Sequence, residues 1–238
     1  MPNAEPPIAM VERGETLSEQ AYERLQTALV SGVFKPGETL SIRQLAALIG
    51  VSATPARDAI SRALWEGSLE NGPNRTVVVP KLTLERLHDI YAVRLNLECL
   101  ATELAAPNFN GQALAALQRI EADYVAGLEA EDMSAVLREN ERFHFYIYAQ
   151  SNNEILLGLI KTLWLKMGPS LNLLFPAYVD RRGSRHKNEI ISALRERDGA
   201  KAREAVEADL IDGKAEVRRA LQRLEQGSRA PRRRIASL

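Results

Sequence analysis

Residues 39–64, with the sequence TLSIRQLAALIGVSATPARDAISRAL, decide the fold of the first third of this chain. Ser41 is followed three residues later by Gln44, which is the pattern of a capping box at the start of a helix. Apolar residues then recur at helical spacing, so we expect them to face a core. They are Leu45, Leu48 and Ile49. Gly50 follows, and glycine commonly ends a helix because it adopts the left-handed conformation without strain. The pattern predicts a short helix that ends at Gly50.

A second helix is predicted directly after this glycine turn. Ser52 can cap it, and Pro55 lies in its first turn, where proline loses no hydrogen bond. An apolar stripe faces inward and consists of Ala56, Ile60, Ala63 and Leu64. Thr54 and Arg57 then face outward. A helix, a glycine turn and a capped helix in this order form a helix-turn-helix, whose second helix can enter the major groove of DNA.

The flanking residues complete a winged helix-turn-helix. Residues 18–31 have the apolar spacing of a preceding helix. Residues 69–71 and 76–79 are predicted to be two short strands, joined by a Gly-Pro-Asn turn. Arg75 stands near the tip of this hairpin, where it could reach a minor groove or a phosphate. We therefore predict that residues 16–80 form three helices and a small β-hairpin.

Four consecutive passages of this region resemble the GntR family of bacterial transcription regulators. They are GVFKPGETL from residue 32, SIRQLA from residue 41, VSATPARDAI from residue 51, and the turn with its valine strand. Their order and spacing fit the family across about 65 residues. The resemblance implies a protein that binds double-stranded DNA at specific sequences.

Five residues carry the predicted DNA contacts: Arg43, Ser52, Thr54, Arg57 and Arg75. Arg57 could bind a guanine edge bidentately, and Arg43 could contact a phosphate or a base. The hydroxyls of Ser52 and Thr54 suit a phosphate at a helix N-terminus. The alternative for Arg57 is a pair with neighbours such as Asp58 on a solvated face.

Two departures from the family concern the DNA-binding head. The family usually carries an arginine where this chain has Ala53, and a glycine where this chain has Thr76. We expect the loss of the arginine to weaken binding or to change the base that is read. We expect the wing tip to approach DNA less closely without the freedom of glycine.

The second half of the chain changes character and is predicted to be almost entirely helical. Helices are expected at residues 83–106, 111–130, 133–151, 153–175, 178–197 and 199–226. We assign residues 81–226 to one all-α bundle, joined to the head near the Pro-Lys-Leu sequence that starts at Pro80. Residues 1–15 are rich in Pro and Glu and are expected to be flexible. Residues 227–238 form a basic tail that we expect to be solvated, with DNA contact as the minor alternative.

This half resembles the FCD (FadR C-terminal) type of effector domain. The resemblance rests on LHDIYAVRLNLECLA from residue 87, NERFHFYIYAQSNN from residue 140, and a final helical pair around an Arg-Asp sequence. It implies a ligand cavity and a dimerisation surface. In many members the cavity holds a divalent metal, bound by an Asp or Asn, a His one turn later, and two further histidines. Asn140 and His144 match the first two positions, but Lys187 and Asp209 stand at the others.

The mismatch at Lys187 argues against a metal. Asn140 and His144 are four residues apart and point the same way, so they could share a cation. An ammonium has no lone pair to donate and repels a metal. We therefore favour no cofactor; a metal such as zinc, if bound, would use Asn140, His144 and Asp209. Lys187 could instead occupy the place of the cation, or bind an anion.

Two alternatives concern the histidines. A shift of the register by one residue would turn His186 inward. His144 could be a hydrogen-bonded core residue.

Arg94 is the second cationic residue expected near the cavity. It lies on an apolar helix face, where a guanidinium needs an acceptor. Glu98, four residues later, could pair with it within the helix. Alternatively, Arg94 could clamp the carboxylate of a ligand. The predicted effector residues are thus Arg94, Asn140, His144, Lys187 and Asp209, and the predicted effector is a small organic or sugar acid.

Composition restricts the other possibilities. The 31 basic and 31 acidic residues give a net charge of zero, which argues against non-specific coating of nucleic acid but not against a site-specific reader. Cys99 is the only cysteine, so an intrachain disulfide is impossible. No apolar run approaches the roughly 20 residues of a membrane span, and no secretory signal is expected. We expect a cytoplasmic protein with no membrane partner.

The resulting prediction is a homodimeric repressor that reads a palindromic operator and is controlled by its effector. A metal-dependent regulator and a small helical-bundle enzyme are the alternatives. An enzyme is disfavoured because the sequence contains no nucleophile motif, no phosphate loop and no complete metal set.

Overall fold

The computed structural model describes residues 16–30, 33–174 and 182–229. The head contains the helices α1 (Leu17–Val30), α2 (Ile42–Ile49) and α3 (Ala53–Glu66), with the strands β1 (Thr39–Leu40), β2 (Glu70–Asn71) and β3 (Val77–Val78). The bundle contains α4 (Leu84–Ala105), α5 (Gly111–Glu129), α6 (Met133–Ala149), α7 (Glu154–Leu174), α8 (Arg182–Glu196) and α9 (Gly199–Arg229). The predicted fold class, a winged helix-turn-helix followed by an all-α bundle, is confirmed. None of the described helices combines the length and apolar character that crossing a bilayer requires.

The first helix of the motif begins and ends as its sequence dictates. The Gln44 backbone N–H donates to the Ser41 hydroxyl at 3.2 Å, and the Ser41 N–H donates to the Gln44 side chain at 2.9 Å. Gly50 ends α2 with φ 71°. Leu45 is fully buried, but Leu48 is 53% exposed, which corrects the prediction that it faces the core. The reason is that a two-turn helix buries only a narrow stripe, and here this stripe is centred on Leu45.

The core of the head is closed by α1 and α3 together with the strands. It includes Tyr22, Leu25, Leu29, Leu45, Ile60, Leu69 and Val79. Leu64, predicted to belong to the inward stripe of α3, is only partly buried but packs against this cluster. The core holds α3 by its inner face and leaves its outer face to solvent.

The sheet has three strands in the order β1-β3-β2, all antiparallel. Thr39 pairs with Val78, so β1 adds a strand that was not predicted. A two-residue strand is too short to show an alternating pattern. At the wing tip Asn74 and Arg75 have positive φ, 55° and 59°, whereas Thr76 is extended at φ −79°. The absence of glycine at Thr76 therefore imposes no backbone strain on the wing tip.

The helices of the bundle lie close to their predicted positions. The predicted ends at residues 175 and 178 fall outside the described residues, as do residues 1–15 and 230–238. Helix α9 continues to Arg229, so the first three residues of the predicted tail are helical. The bundle has its own core, which includes Leu87, Ile90, Leu117, Phe143, Ile147, Ile160, Leu194 and Val206.

The head and the bundle meet along α1 and α7. The Leu82 N–H donates to the Ser170 hydroxyl at 3.2 Å, and Arg86 forms an ion pair with Glu70 of β2. A Cβ atom on Gly168 would stand 3.0 Å from the Cα of Val30, so the two helices are in close contact. The segment predicted to join the domains is therefore attached to α7.

Candidate DNA interface and effector pocket

The five predicted DNA-contact residues are all exposed: Arg43, Ser52, Thr54, Arg57 and Arg75. Within the described part of the chain, no acidic side chain lies within ion-pair distance of Arg43, Arg57 or Arg75. Asp58 instead accepts a hydrogen bond from the Ser18 hydroxyl at 2.8 Å. The guanidinium of Arg57 is therefore available to an outside acceptor, as a base-reading arginine must be.

The start of α3 has open donors. Ser52 occupies the N-cap position with an extended backbone, but its side chain makes no capping hydrogen bond. This corrects the prediction that its hydroxyl caps α3. The uncapped first turn keeps free N–H groups next to the hydroxyls of Ser52 and Thr54. Such an arrangement is suited to a phosphate oxygen.

The five predicted effector residues line one cavity inside the bundle. The cavity has a volume of about 60 Å³, and its wall also includes Tyr91, Tyr124 and Trp164. Arg94 comes from α4, Asn140 and His144 from α6, Lys187 from α8 and Asp209 from α9. Side chains that are distant in sequence are therefore collected around one small space.

Arg94 both pairs with Glu98 and lines the cavity. The guanidinium donates to the two Glu98 carboxylate oxygens at 2.5 and 3.3 Å. It lies over the rings of Tyr91 and Trp164, at 4.7 and 4.8 Å from their centroids. The two alternatives for Arg94 are thus compatible, but part of its positive charge is already balanced by a carboxylate.

Glu98 is the functional candidate that the sequence did not identify beyond its spacing from Arg94. Its side chain is fully buried and also accepts hydrogen bonds from the Tyr148 hydroxyl at 2.6 Å and from the Trp164 indole at 3.1 Å. Burial raises the pKa of Tyr148, and the Glu98 charge raises it further. Glu98 therefore connects α4, α6 and α7 behind the cavity wall.

His144 is both a hydrogen-bonded core residue and part of the cavity wall. Its Nδ1 lies 3.1 Å from the Tyr148 hydroxyl, and its Nε2 lies 3.3 Å from a carboxylate oxygen of Asp209. Its ring packs against Phe143 and Trp164 at centroid distances of 5.6 and 5.7 Å. Both ring nitrogens have partners, so His144 is held in one orientation.

Lys187 faces the cavity, whereas His186 does not line it. The Lys187 ammonium donates to the Asn140 carbonyl oxygen at 2.8 Å and lies 4.5 Å from the centroid of Tyr124. Lys187 is only 1% exposed. Burial lowers the pKa of its ammonium, and the negative charge of Asp209 partly offsets this effect. His186 pairs with Asp212 at 2.9 Å.

Asp209 is the anionic counterpart of Lys187. Burial alone would raise the pKa of Asp209, but the charge of Lys187 and the hydrogen bond from His144 outweigh it and lower this pKa to about 2. The carboxylate is therefore charged near neutral pH.

The residues present do not fit the divalent metal that the FCD resemblance implies. The Lys187 ammonium already occupies the Asn140 oxygen, which is a family ligand position, and it would repel a second cation. Among the residues that the structure describes, no group of three His, Cys, Asp or Glu side chains could hold a metal. The chemistry of the residues at these positions therefore argues against a divalent metal.

Replacing Asp209 with asparagine should destabilise the protein in a pH-dependent way. Because folding lowers the pKa of Asp209 from 3.8 to about 2, its stabilising contribution is present above pH 3.8 and is lost as the pH falls towards 2. We expect Asp209→Asn to cost about 2 kcal/mol near neutral pH and progressively less below about pH 4. Urea denaturation across this range would measure the difference, with the exposed Asp89→Asn as control. A loss that does not change with pH would assign Asp209 a packing role only.

Two protein families match this chain. The gntR family of bacterial regulatory proteins matches residues 17–79, and the FCD domain matches residues 89–212. The HTH-type transcriptional regulator McbR of Escherichia coli is 35% identical over 162 residues, which are 68% of this chain and 73% of McbR. The chain belongs to the GntR family. Because its relatives are transcriptional regulators, this GntR protein is a DNA-binding regulator and not an enzyme, as predicted from the sequence.

Further relatives support this assignment. The Nta operon transcriptional regulator of Aminobacter aminovorans is 32% identical over 162 residues, 67% of this chain and 73% of that protein. The solved structure of Escherichia coli McbR/YncC superimposes with a TM-score of 0.80 at 30% identity, covering 86% of this chain and 98% of McbR. A putative GntR regulator from Rhodococcus sp. RHA1, at 21% identity and a TM-score of 0.70, covers 84% of this chain and 96% of that one. It shares the fold.

Proposed function

We propose that this GntR-family regulator is a cytoplasmic homodimeric repressor that binds a palindromic operator and is released by a small carboxylate-bearing metabolite. The proposal that the protein binds an effector rests on one observation, the cavity lined by Arg94, Asn140, His144, Lys187 and Asp209. Buried ionisable groups add little stability even when they are paired, because desolvation offsets their attraction, and such groups cluster at functional sites. A set of them around a cavity is therefore better explained by ligand binding than by stability.

The open donors of the cavity suit a carboxylate. The Lys187 ammonium has three N–H groups and donates one to Asn140. Among the acceptors that the structure describes, Nη1 of Arg94 donates only to the weak acceptor Met167 Sδ, at 3.2 Å. These two groups can therefore bind the oxygens of an acid. A space of about 60 Å³ holds only a few water molecules, which favours a small organic acid over a sugar acid.

The release mechanism would act through the attachment of the head to the bundle. Trp164 lines the cavity, and it belongs to α7, the helix that binds Leu82 through Ser170. A ligand that binds one position of α7 more tightly than another would shift the population of head arrangements. The separation of the two heads in the dimer would change with it.

A thermal-shift screen with acetate, glycolate, pyruvate, lactate and gluconate would test the effector proposal. An acid that binds should raise the unfolding temperature and lower the affinity for the operator in a gel-shift titration. Lys187→Met should abolish both effects, whereas the exposed control Lys201→Met should keep them. If none of the acids acts, or if Lys187→Met responds like the parent protein, the carboxylate proposal is wrong. Discrete operator protection in a footprint would still support the DNA-binding part.

The dimer is proposed to form through an exposed apolar stripe on α4. The stripe consists of Val93, Leu97, Leu100 and Leu104, which are spaced as in a helix that packs against another helix. Val93, Leu100 and Leu104 are exposed in the single chain, and large exposed apolar surfaces usually mark an interface.

Leu100→Asp should convert the dimer to a monomer and weaken operator binding. The reason is that a charge would be buried without a partner at the centre of the stripe. Light scattering after size exclusion would measure the mass. Ile155→Asp, which also places a charge at an exposed apolar position but on α7, is the matched control. A Leu100→Asp protein with the mass of a dimer would place the interface elsewhere.

The purified protein should contain no stoichiometric zinc, and a chelator should not change its operator affinity or its unfolding temperature. The ammonium of Lys187 repels a metal, so Lys187→His should remove this barrier and gain zinc binding. Elemental analysis and zinc titration by calorimetry would measure both results. One tightly held metal per chain in the parent protein would contradict the expectation.

A further inference from the structure

A second and larger cavity lies between the head and the bundle. One side is formed by α1 of the head, and the other by α6 and α7 of the bundle. Its volume is about 460 Å³, against about 60 Å³ for the pocket inside the bundle. Small-molecule sites usually have volumes of roughly 300–1,000 Å³. The interdomain cavity therefore has the size of a ligand site in the conformation that the structure describes.

The floor of this cavity is apolar, and contacts with neighbouring side chains fix the orientation of its rings. Phe145 and Trp164 meet edge to face with ring centroids 5.3 Å apart, and the buried Leu165 lies beside them. The indole N–H of Trp164 is fixed by Glu98, so its ring is held in one orientation. Two rings and a leucine form a surface on which an apolar ligand body can pack.

Glu141 adds a charge without a hydrogen-bonding partner to this apolar floor. It is half-buried in the cavity wall, and in the part of the chain that the structure covers no donor lies within hydrogen-bonding distance of its carboxylate. Burial raises the pKa of Glu141, although Lys161 acts in the opposite direction. A half-buried carboxylate without a donor costs free energy, which a ligand with a charged N–H group would recover.

The other charged side chains on the wall do not neutralise Glu141, so a ligand could donate to its carboxylate. Arg138 is engaged with Glu139 at 2.9 Å. Lys161 is exposed and attracts Glu141 only over a longer distance. Glu23 of α1 places a second carboxylate on the opposite side. The wall thus offers two carboxylates, and no cation of residues 16–30, 33–174 and 182–229 lies within ion-pair distance of either.

We propose that the interdomain cavity is a binding site for small amphipathic amines. The apolar, preferably aromatic, body would pack on Phe145 and Trp164, and the ammonium would donate to Glu141. Because the walls belong to both domains, an amine bound here would connect α1 to α6 and α7. Its binding and the position of the head would then be thermodynamically linked. The proposal does not depend on the carboxylate effector of the inner pocket.

Titration with 2-phenylethylamine, followed by tryptophan fluorescence, would test this proposal. The chain has two tryptophans, and Trp65 is 91% exposed. The full-length Trp65→Phe protein therefore reports on Trp164 alone. We expect a saturable change in the Trp164 emission with 2-phenylethylamine. The neutral 2-phenylethanol and the anionic 3-phenylpropionate have the same ring, and each should bind at least about tenfold more weakly because neither can pair with a carboxylate.

Substitutions would locate the site. In the Trp65→Phe background, Glu141→Gln should weaken 2-phenylethylamine binding by about tenfold or more. Glu129→Gln, at an exposed position outside the cavity, is the matched control and should bind normally. Thr27→Phe should fill the cavity from the exposed side of α1 and abolish binding, so the test does not rest on one variant. The proposal is overturned by no saturable change, by equal binding of the alcohol or the acid, or by undiminished binding to Glu141→Gln or Thr27→Phe.

Discussion

Replacing Arg57 with alanine should reduce operator affinity more than any other single change in the head. A bidentate arginine–guanine contact contributes roughly 1–3 kcal/mol of discrimination. A dimer would lose this contact at both half-sites, so we expect a loss of about 2–6 kcal/mol, or roughly 30-fold to 10⁴-fold in affinity. This expectation rests on the exposed guanidinium of Arg57 on α3, which has no acidic partner among the residues that the structure describes.

The measurement is fluorescence anisotropy at one fixed salt concentration, with an operator selected from random duplexes and a scrambled duplex of equal length. Arg57→Ala should lose affinity for the operator and retain most of its affinity for the scrambled duplex, since non-specific binding depends on phosphate contacts. Arg119→Ala removes the same charge from an exposed site on α5 and is the control. Equal losses on both duplexes would identify Arg57 as a phosphate contact, and unchanged affinities would exclude it from the interface.

The largest loss of stability is expected from Glu98→Ala. Removing one partner of a buried ion pair typically costs about 3–5 kcal/mol, because the remaining charge is buried without compensation. Here Arg94 would keep its charge inside the bundle, and Tyr148 and Trp164 would lose their acceptor. The free energy of unfolding in urea measures the loss.

The double substitution Arg94→Met/Glu98→Leu is the informative comparison for this prediction. It removes both charges, so it should cost clearly less than Glu98→Ala alone. Glu103 lies on the same helix as Glu98 and forms a half-exposed ion pair with Arg203 of α9. Breaking this pair with Glu103→Ala should cost no more than about 1 kcal/mol. If Glu98→Ala and Glu103→Ala cost the same, the buried pair does not have the importance that its geometry indicates.

Local signals were sufficient to predict the head. A capping box and a left-handed glycine set the limits of α2 through contacts within a few residues of each other, and the sequence shows both directly. Failures arose where tertiary packing decides the outcome. Leu48 has the correct spacing but lies beyond the edge of the core, and Ser52 has the correct position but leaves the first turn of α3 uncapped.

The pockets were predictable only in part. The four-residue spacing of Asn140 and His144 and the family resemblance indicated a cavity, and all five proposed residues line it. The role of Glu98 as a shared acceptor depends on Tyr148 and Trp164, which lie 50 and 66 residues away in the chain. The interdomain cavity depends on how α1 packs against α7. Neither the contacts of Glu98 nor the interdomain cavity produces a periodic pattern in the sequence from which it could be predicted.

Lys187 has a consequence for how such a regulator behaves in a living bacterium. A metal ion must be acquired, competes with other metals, and is lost when its supply fails. The ammonium of Lys187 is part of the polypeptide, so every chain carries one and it cannot be exchanged for another ion. The sensitivity of this protein to the proposed effector would therefore stay the same in metal-starved and metal-rich cells.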